Sequence, residues 1–221
     1  MHPGVEMGVE LRRRNIKKAI NIVLAALMVF AIGACEEKKS QVGSTSTSND
    51  ADKSATEKIV KIGNQVWMSE NLNDASKGGK CYENKPENCE KYGRLYTWEE
   101  AMKSCPSGWN LPNNAEWQTL VDFAGGDGIA AKKLKAKKGW NDYDGKSGNG
   151  ADYFGFSALP GGIGSPFGKF FNVGNYGYWW SSSSESNSNN ACFRGIHYDD
   201  YFALGGETDK TALFSVRCVK D

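Results

Sequence analysis

Histidine is scarce in this chain: only His2 and His197 occur in 221 residues. A metal site built on several histidines is therefore excluded. A Ser-His or Cys-His nucleophile would have to use one of the two. No Cys-x-x-Cys pair occurs among the six cysteines, which argues against a cysteine-ligated metal. Charge excess is missing too, with 27 Lys+Arg against 26 Asp+Glu, so there is no electrostatic footprint for nucleic acid. No internal repeat is visible. The longest apolar run, Ala19 to Ala34, covers 16 residues and contains Asn21. That is short of the roughly 20 needed to cross a bilayer.

What surrounds that run is informative. Arg12, Arg13, Arg14, Lys17 and Lys18 precede it, and Ile32-Gly33-Ala34-Cys35 ends it. A basic start, a short apolar stretch and small residues at the end read as a secretory signal peptide. The Cys at the cleavage point resembles the lipobox of bacterial lipoproteins, where the thiol receives a diacylglycerol and becomes the new N-terminus. Residues 1–34 are expected to be the signal peptide and Cys35 the lipidation site, bearing a palmitate-type anchor. The expected location is the bacterial cell envelope, lipid-anchored at the outer membrane. Glu36-Glu37 resembles an acidic surface-export signal. Cleavage would leave 22 Lys+Arg against 24 Asp+Glu, a net charge of −2, with His197 as the single histidine.

Residues 36–57 contain no aromatic, and Val42 is their only sizeable apolar residue. Such a segment cannot bury enough surface to offset its ordering entropy, so a tether reaching about 25 Å is expected. Residues 58–221 hold all seven Trp, all nine Tyr and nine of the ten Phe, enough for one domain. An exported location favours disulfides. Cys81 and Cys89 flank a short turn, and Cys105 and Cys218 could join an early helix to the last strand. With Cys35 lipidated the remaining count is odd, and Cys192 is expected to be unpaired.

Ile59–Ile62, Gly63-Asn64 and Gln65–Met68 predict a hairpin. Thr97 with Glu100 forms a capping box, and Trp98, Ala101, Met102 and Cys105 share one helical face. Asn113 with Glu116 repeats the pattern before Trp117, Leu120, Val121 and Ala124. Gly125-Gly126 ends that helix. Asp127 is expected to cap a third helix through Leu134. Its Lys132, Lys133, Lys135, Lys137 and Lys138 predict a solvated face rather than an anion site. Gly155–Ala158, Tyr178–Ser182, Ala191–His197 and Ala212–Val219 are candidate strands. Phe214, Val216 and Cys218 alternate on one face. Adjacent Trp179 and Trp180 must face opposite ways, so only one is expected in the main core.

The run Val60 to Leu72 resembles the opening of the Fibrobacter succinogenes major paralogous domain family. Tyr92-Gly93-Arg94-Leu95-Tyr96-Thr97-Trp98, Cys105-Pro106-Ser107-Gly108-Trp109-Asn110-Leu111-Pro112 with Glu116-Trp117, Phe156 to Gly162, Trp180-Ser181-Ser182 and Phe214 to Cys218 follow in the family's order. Family members are often lipoproteins or secreted. Leu111-Pro112 and Glu116-Trp117 also resemble, more distantly, a block of formylglycine-generating-enzyme-like domains. That similarity implies an α+β, C-type-lectin-like fold: two to three short helices on small antiparallel sheets with long loops. A first-helix Cys paired to the last strand looks like a C-type lectin as well.

The functional expectation is a non-catalytic extracytoplasmic binding or adhesion module, with a glycan or polysaccharide as ligand. Exposed rings stack on apolar sugar faces, and Trp140, Tyr143, Tyr176, Tyr178, Tyr198 and Tyr201 are the candidates. No Glu-Pro-Asn or Gln-Pro-Asp triplet of a calcium-dependent sugar site is present. No catalytic residue, cofactor or metal is expected. The alternatives are a structural envelope protein that binds another protein, and an enzyme of the formylglycine-generating type. The latter uses a closely spaced redox Cys pair, whereas Cys192 and Cys218 are 26 residues apart.

Overall fold

A computed structural model describes residues 58–184, 188–199 and 203–221, which all belong to one unit. The chain enters as the expected hairpin. β1 (Ile59–Ile62) and β2 (Gln65–Met68) pair antiparallel, with Ile62 opposite Gln65. Gly63 alone takes positive φ, at +61°. Gly at the first central position with φ > 0 is the II′ turn, whose twist matches that of the strands.

Three of the four α-helices among the described residues start on a recognisable signal. α1 (Pro86–Tyr92) has Pro at its first position, where the missing N–H costs nothing. After β3 (Leu95–Tyr96) comes α2 (Trp98–Ala101), with the predicted capping box: Thr97 Oγ1 accepts from Glu100 N–H, and the Glu100 carboxylate accepts from Thr97 N–H. The helix expected to reach Cys105 stops after one turn, where the Ser104 hydroxyl donates to Ala101 O at 2.9 Å. β4 (Trp109–Asn110) leads into α3 (Asn114–Phe123), capped reciprocally by Asn113 and Glu116. Trp117, Leu120 and Val121 are buried on its inner face, as their spacing requires. α4 (Ala130–Leu134) departs from expectation. Ile129, not Asp127, stands at its N-cap, with no side-chain bond. The N–H groups of Ile129 and Ala130 donate to Gly126 O instead.

The remaining strands are β5 (Ile163–Gly164), β6 (Phe170–Phe171), β7 (Tyr176–Trp180), β8 (Asn190–His197), β9 (Ala203–Asp209), β10 (Phe214–Ser215) and β11 (Val219–Lys220). One sheet runs β1-β2-β11-β4, a second β3-β10-β7-β8-β9, and β5 pairs with β6. This is an α+β arrangement. The strand expected over Gly155–Ala158 is a loop. Ser157 sits at φ +50°, its N–H donating to Asp152 Oδ1 at 2.7 Å, and only Ala158 makes a bridge, to Lys135. The strand expected over Ala212–Val219 is split, because the chain leaves β10 in one sheet and enters β11 in the other. Phe214, Val216 and Cys218 nevertheless stay together in one core.

Two cores flank β7. Trp179 packs with Trp67, Trp117, Leu120, Phe156 and Val219 on one side. Trp180 packs with Tyr96, Phe193, Phe214 and Val216 on the other. The expectation that only one of the adjacent tryptophans is buried in the core is therefore corrected: they are 1% and 0% exposed. They do face opposite ways, but this central strand is covered on both faces. Lys135 is a second correction. It is fully buried, not part of a solvated face. Its Nζ donates to Gly148 O and Tyr198 O, both at 3.2 Å, and lies 4.6 Å from the Trp140 ring centroid.

Both expected disulfides are present. Cys81–Cys89 closes at a Cα separation of 4.9 Å, and Cys105–Cys218 at 5.9 Å. Cys192 is buried, and no cysteine among the described residues is free, so the unpaired thiol expected there is corrected. The odd count behind that expectation takes Cys35 as lipidated. The unprocessed chain has six cysteines, an even number. Cys35 itself lies outside the described residues.

Candidate aromatic binding face

The antiparallel register of β7 and β8 sets Tyr176 opposite His197 and Tyr178 opposite Gly195. Period-two alternation puts Tyr176 and Tyr178 on one face. Tyr176 and His197 stack at 4.2 Å between centroids with 31° between planes. Tyr176 also lies 5.7 Å from Tyr178 and 6.5 Å from Tyr198. Tyr198 meets Tyr143 edge-on at 5.4 Å. The result is one continuous run of rings. Gly195 makes room for it, because a Cβ there would collide with the Tyr178 ring.

The run is anchored inside and open outside. Tyr178 is buried, with Phe193 at 5.1 Å and Phe214 at 5.3 Å behind it. Its hydroxyl is hydrogen-bonded to His197 Nε2 at 2.9 Å. Tyr176, His197 and Tyr198 are half-buried, and Tyr143 is 50% exposed. Tyr143 is presented by a tight turn: its N–H and C=O pair with those of Lys146, at 2.8 and 2.9 Å. Asp144 and Gly145 take positive φ within it, as a type I′ turn requires.

The rings at this face are neutral. Burial, followed by the Asp199 carboxylate, pushes the Tyr176 and Tyr198 phenols above the usual value. Burial pushes Tyr178 up further. All three stay protonated at neutral pH and offer hydroxyl groups. A carboxamide rim adjoins the rings. Asn141 Nδ2 donates to Asn175 Oδ1 at 2.9 Å, and Tyr198 N–H donates to Asn175 O at 2.8 Å. Rings with flanking amides suit a ligand that has both apolar faces and hydroxyl groups.

Of the six expected ligand residues, the structure brings four together: Tyr143, Tyr176, Tyr178 and Tyr198. Only Tyr143, Tyr176 and Tyr198 have accessible ring surface; Tyr178 supports them from within. Trp140 is corrected to a core residue. It is 4% exposed, and its indole N–H donates to Ala158 O at 2.9 Å. Tyr201 lies outside the described residues. His197 and the amide pair Asn141–Asn175 also belong to the face, although no local sequence signal marks them as ligand residues. Only the pairing register and the loop contacts bring them there. The tripeptide Trp140-Asn141-Asp142 has the letters of another motif of calcium-dependent lectins. Here its Trp is in the core and its Asn is held by Asn175. Among the described residues, no group of three or more His, Cys, Asp or Glu is placed to hold a metal ion.

A separate cleft of about 380 Å³ is lined by Gly78, Gly79, Lys80, Glu100, Ser165 and Thr211, among others. The Glu100 carboxylate in it already accepts from the Thr97 N–H at 2.8 Å and the Gly79 N–H at 3.3 Å. That carboxylate therefore serves the α2 cap first.

The sequence pattern of the Fibrobacter succinogenes major domain matches residues 60–220. The chain belongs to this family. No curated protein and no solved structure matches it.

Proposed function

We propose that this chain is a lipid-anchored envelope protein that displays a non-catalytic, C-type-lectin-like module for glycans. The observation that carries the reading is the continuous ring surface of Tyr143, Tyr198 and Tyr176 beside the Asn141–Asn175 amides. Sugars present apolar C–H faces and hydroxyls together, and this face offers a partner to each. The lectin-like reading draws support from the Cys105–Cys218 link between the end of the α2 segment and the approach to the last strand. The lipid anchor rests on the basic, apolar and Gly-Ala-Cys35 sequence alone. It places the module outside the cytoplasm, where its two disulfides are stable. A formylglycine-type reaction needs a redox thiol pair, and Cys218 is committed to Cys105.

A glycan array probed with the full chain in detergent tests the reading. Binding to an envelope or plant-wall polysaccharide that weakens in Tyr143→Ala supports it. A folded protein that binds no glycan on the array removes it.

A further inference from the structure

The domain carries an apolar face where the chain enters it. Phe123 at the end of α3 is 52% exposed, Ile129 before α4 is 47% exposed, and Tyr153 is 71% exposed. Ring and backbone contacts bring together the three segments that carry them. The Phe123 ring lies 5.5 Å from that of Phe154 and against the β1–β2 turn at Gly63. The Lys133 carbonyl accepts from Tyr153 N–H at 2.9 Å, and Lys133 N–H donates to Ile129 O at 3.3 Å. Val60, two residues after the first described residue, packs beside Phe154 on the same core and faces Gly155. Scattered exposed apolar residues need no explanation, but a contiguous aromatic and aliphatic patch marks an interaction surface.

The length of the entering segment indicates what covers it. A coil the length of residues 36–57 spans about 25 Å. A domain of residues 58–221 is about 40 Å across. A tether with that root-mean-square span, less than the domain's own diameter, gives the face beside its attachment point a high local concentration of membrane surface. At such proximity even weak contacts are occupied, because binding is intramolecular. Phe, Tyr and Ile are side chains that settle at the boundary between headgroups and acyl chains. Lys132, Lys133, Lys137 and Lys138 outnumber Asp122 and Asp127 in this stretch, so attraction to anionic headgroups adds to apolar insertion.

We infer that the Phe123–Ile129–Tyr153 face docks on the lipid surface to which the chain is anchored. The ring face formed by Tyr143, Tyr176 and Tyr198 is then left for its own ligand. The inference rests on the lipid-anchor reading given above.

The test uses the full chain, with a protease site inserted between Gly43 and Ser44. It is reconstituted into vesicles of phosphatidylethanolamine and phosphatidylglycerol. Amide exchange is followed before and after the tether is cut. Peptides spanning Phe123–Lys133 and Tyr153–Phe154 are expected to exchange about fivefold more slowly while tethered. Peptides of β7 and β8 should not change. The Phe123→Ser/Ile129→Ser variant should remain on the vesicles and lose the protection. Equal exchange before and after cutting overturns the proposal. So does protection that survives cutting and rises with protein concentration, which would mark a second copy as the occupant. The mass of the peptide bearing Cys35 reports lipidation separately. A lipid-bearing chain without protection sinks the docking alone. A chain held in the vesicles without lipid sinks the anchor reading and leaves the docking result to stand on the exchange data.

Discussion

Arg217 and Asn71, 146 residues apart, meet in the interior: Asn71 Oδ1 accepts from Arg217 Nε at 3.1 Å and Nη2 at 2.7 Å. The same oxygen accepts the Trp179 indole N–H at 2.8 Å, while Asn71 Nδ2 donates to Tyr92 O at 2.8 Å. Arg217 Nη1 donates to Met68 O and Phe156 O. Burial pushes the guanidinium pKa down, to about 9, so it is still charged at neutral pH. Among the described residues, no carboxylate is hydrogen-bonded to it. An ion inside a protein needs its donors satisfied, and here one amide and two backbone carbonyls do it.

Removing one partner of that arrangement should therefore cost more than removing both. Asn71→Leu leaves a buried cation short of acceptors and should destabilise by about 3–5 kcal/mol. Arg217→Met in the Asn71→Leu background should recover part of that loss. Urea unfolding of the single and double variants measures both. Equal stability of the two Asn71→Leu proteins would contradict the account.

The two disulfides should differ in worth. By chain-entropy reasoning the 113-residue Cys105–Cys218 loop contributes about 5 kcal/mol and the 8-residue Cys81–Cys89 loop about 2.5 kcal/mol. Cys105→Ser/Cys218→Ser should lower the urea midpoint more than Cys81→Ser/Cys89→Ser, with little change in the slope. The reverse order would show that native-state packing, not loop closure, governs their contribution.

On the ring face, Tyr143→Ala and Tyr198→Ala should weaken glycan binding by about tenfold each, the worth of one aromatic contact. Because Tyr143 is half-exposed, its removal should leave the melting temperature nearly unchanged. Trp140→Ala should do the opposite, costing about 3–5 kcal/mol of stability with no direct effect on ligand contact. Calorimetric titration beside thermal unfolding separates the two. Tyr178→Phe, which loses the hydroxyl partner of His197, should cost about 1 kcal/mol.

Alkaline pH should unfold the domain through its buried phenols. Burial pushes Tyr96 up from 10.0 to about 12, and Tyr178 moves in the same direction. A folded pKa above the unfolded one means that the neutral phenol's contribution is complete below pH 10 and is lost as pH rises through about 12. Arg217, pushed down, acts in the opposite sense over part of that window. Tyr96→Phe isolates the phenol's share. Its stability should fall less steeply than wild type between about pH 9 and about pH 11.5. Parallel curves would refute the assignment.

Signals carried by neighbouring residues are legible in the sequence alone. The Gly63 turn, the Thr97–Glu100 and Asn113–Glu116 boxes and the buried stripe of α3 depend on spacings of a few residues. So does the 81–89 disulfide, and all appear where expected. Features that depend on distant partners are not legible in this way. Asp127 loses the α4 cap to backbone bonds on Gly126. Lys135 is buried because Gly148 and Tyr198 supply carbonyls from other segments. Trp140 reads as a surface ring in the sequence because nothing adjacent shows that Ala158 accepts its N–H.

The same division holds for the proposed function. Residue order is enough for family membership, the exclusion of multi-histidine metal chemistry, two of the disulfide pairs and a chain rich in rings. Which rings share a surface is settled only by folding. Tyr143 comes from a turn, Tyr176 and Tyr178 from β7 and Tyr198 from the residue after β8, and strand register with the open space at Gly195 turns them into one face. Folding also buries both Trp179 and Trp180, since covering both sides of β7 depends on helices and strands supplied by the rest of the chain. Local spacing governs local hydrogen bonds; which surface each ring finally meets depends on segments far from it in the sequence.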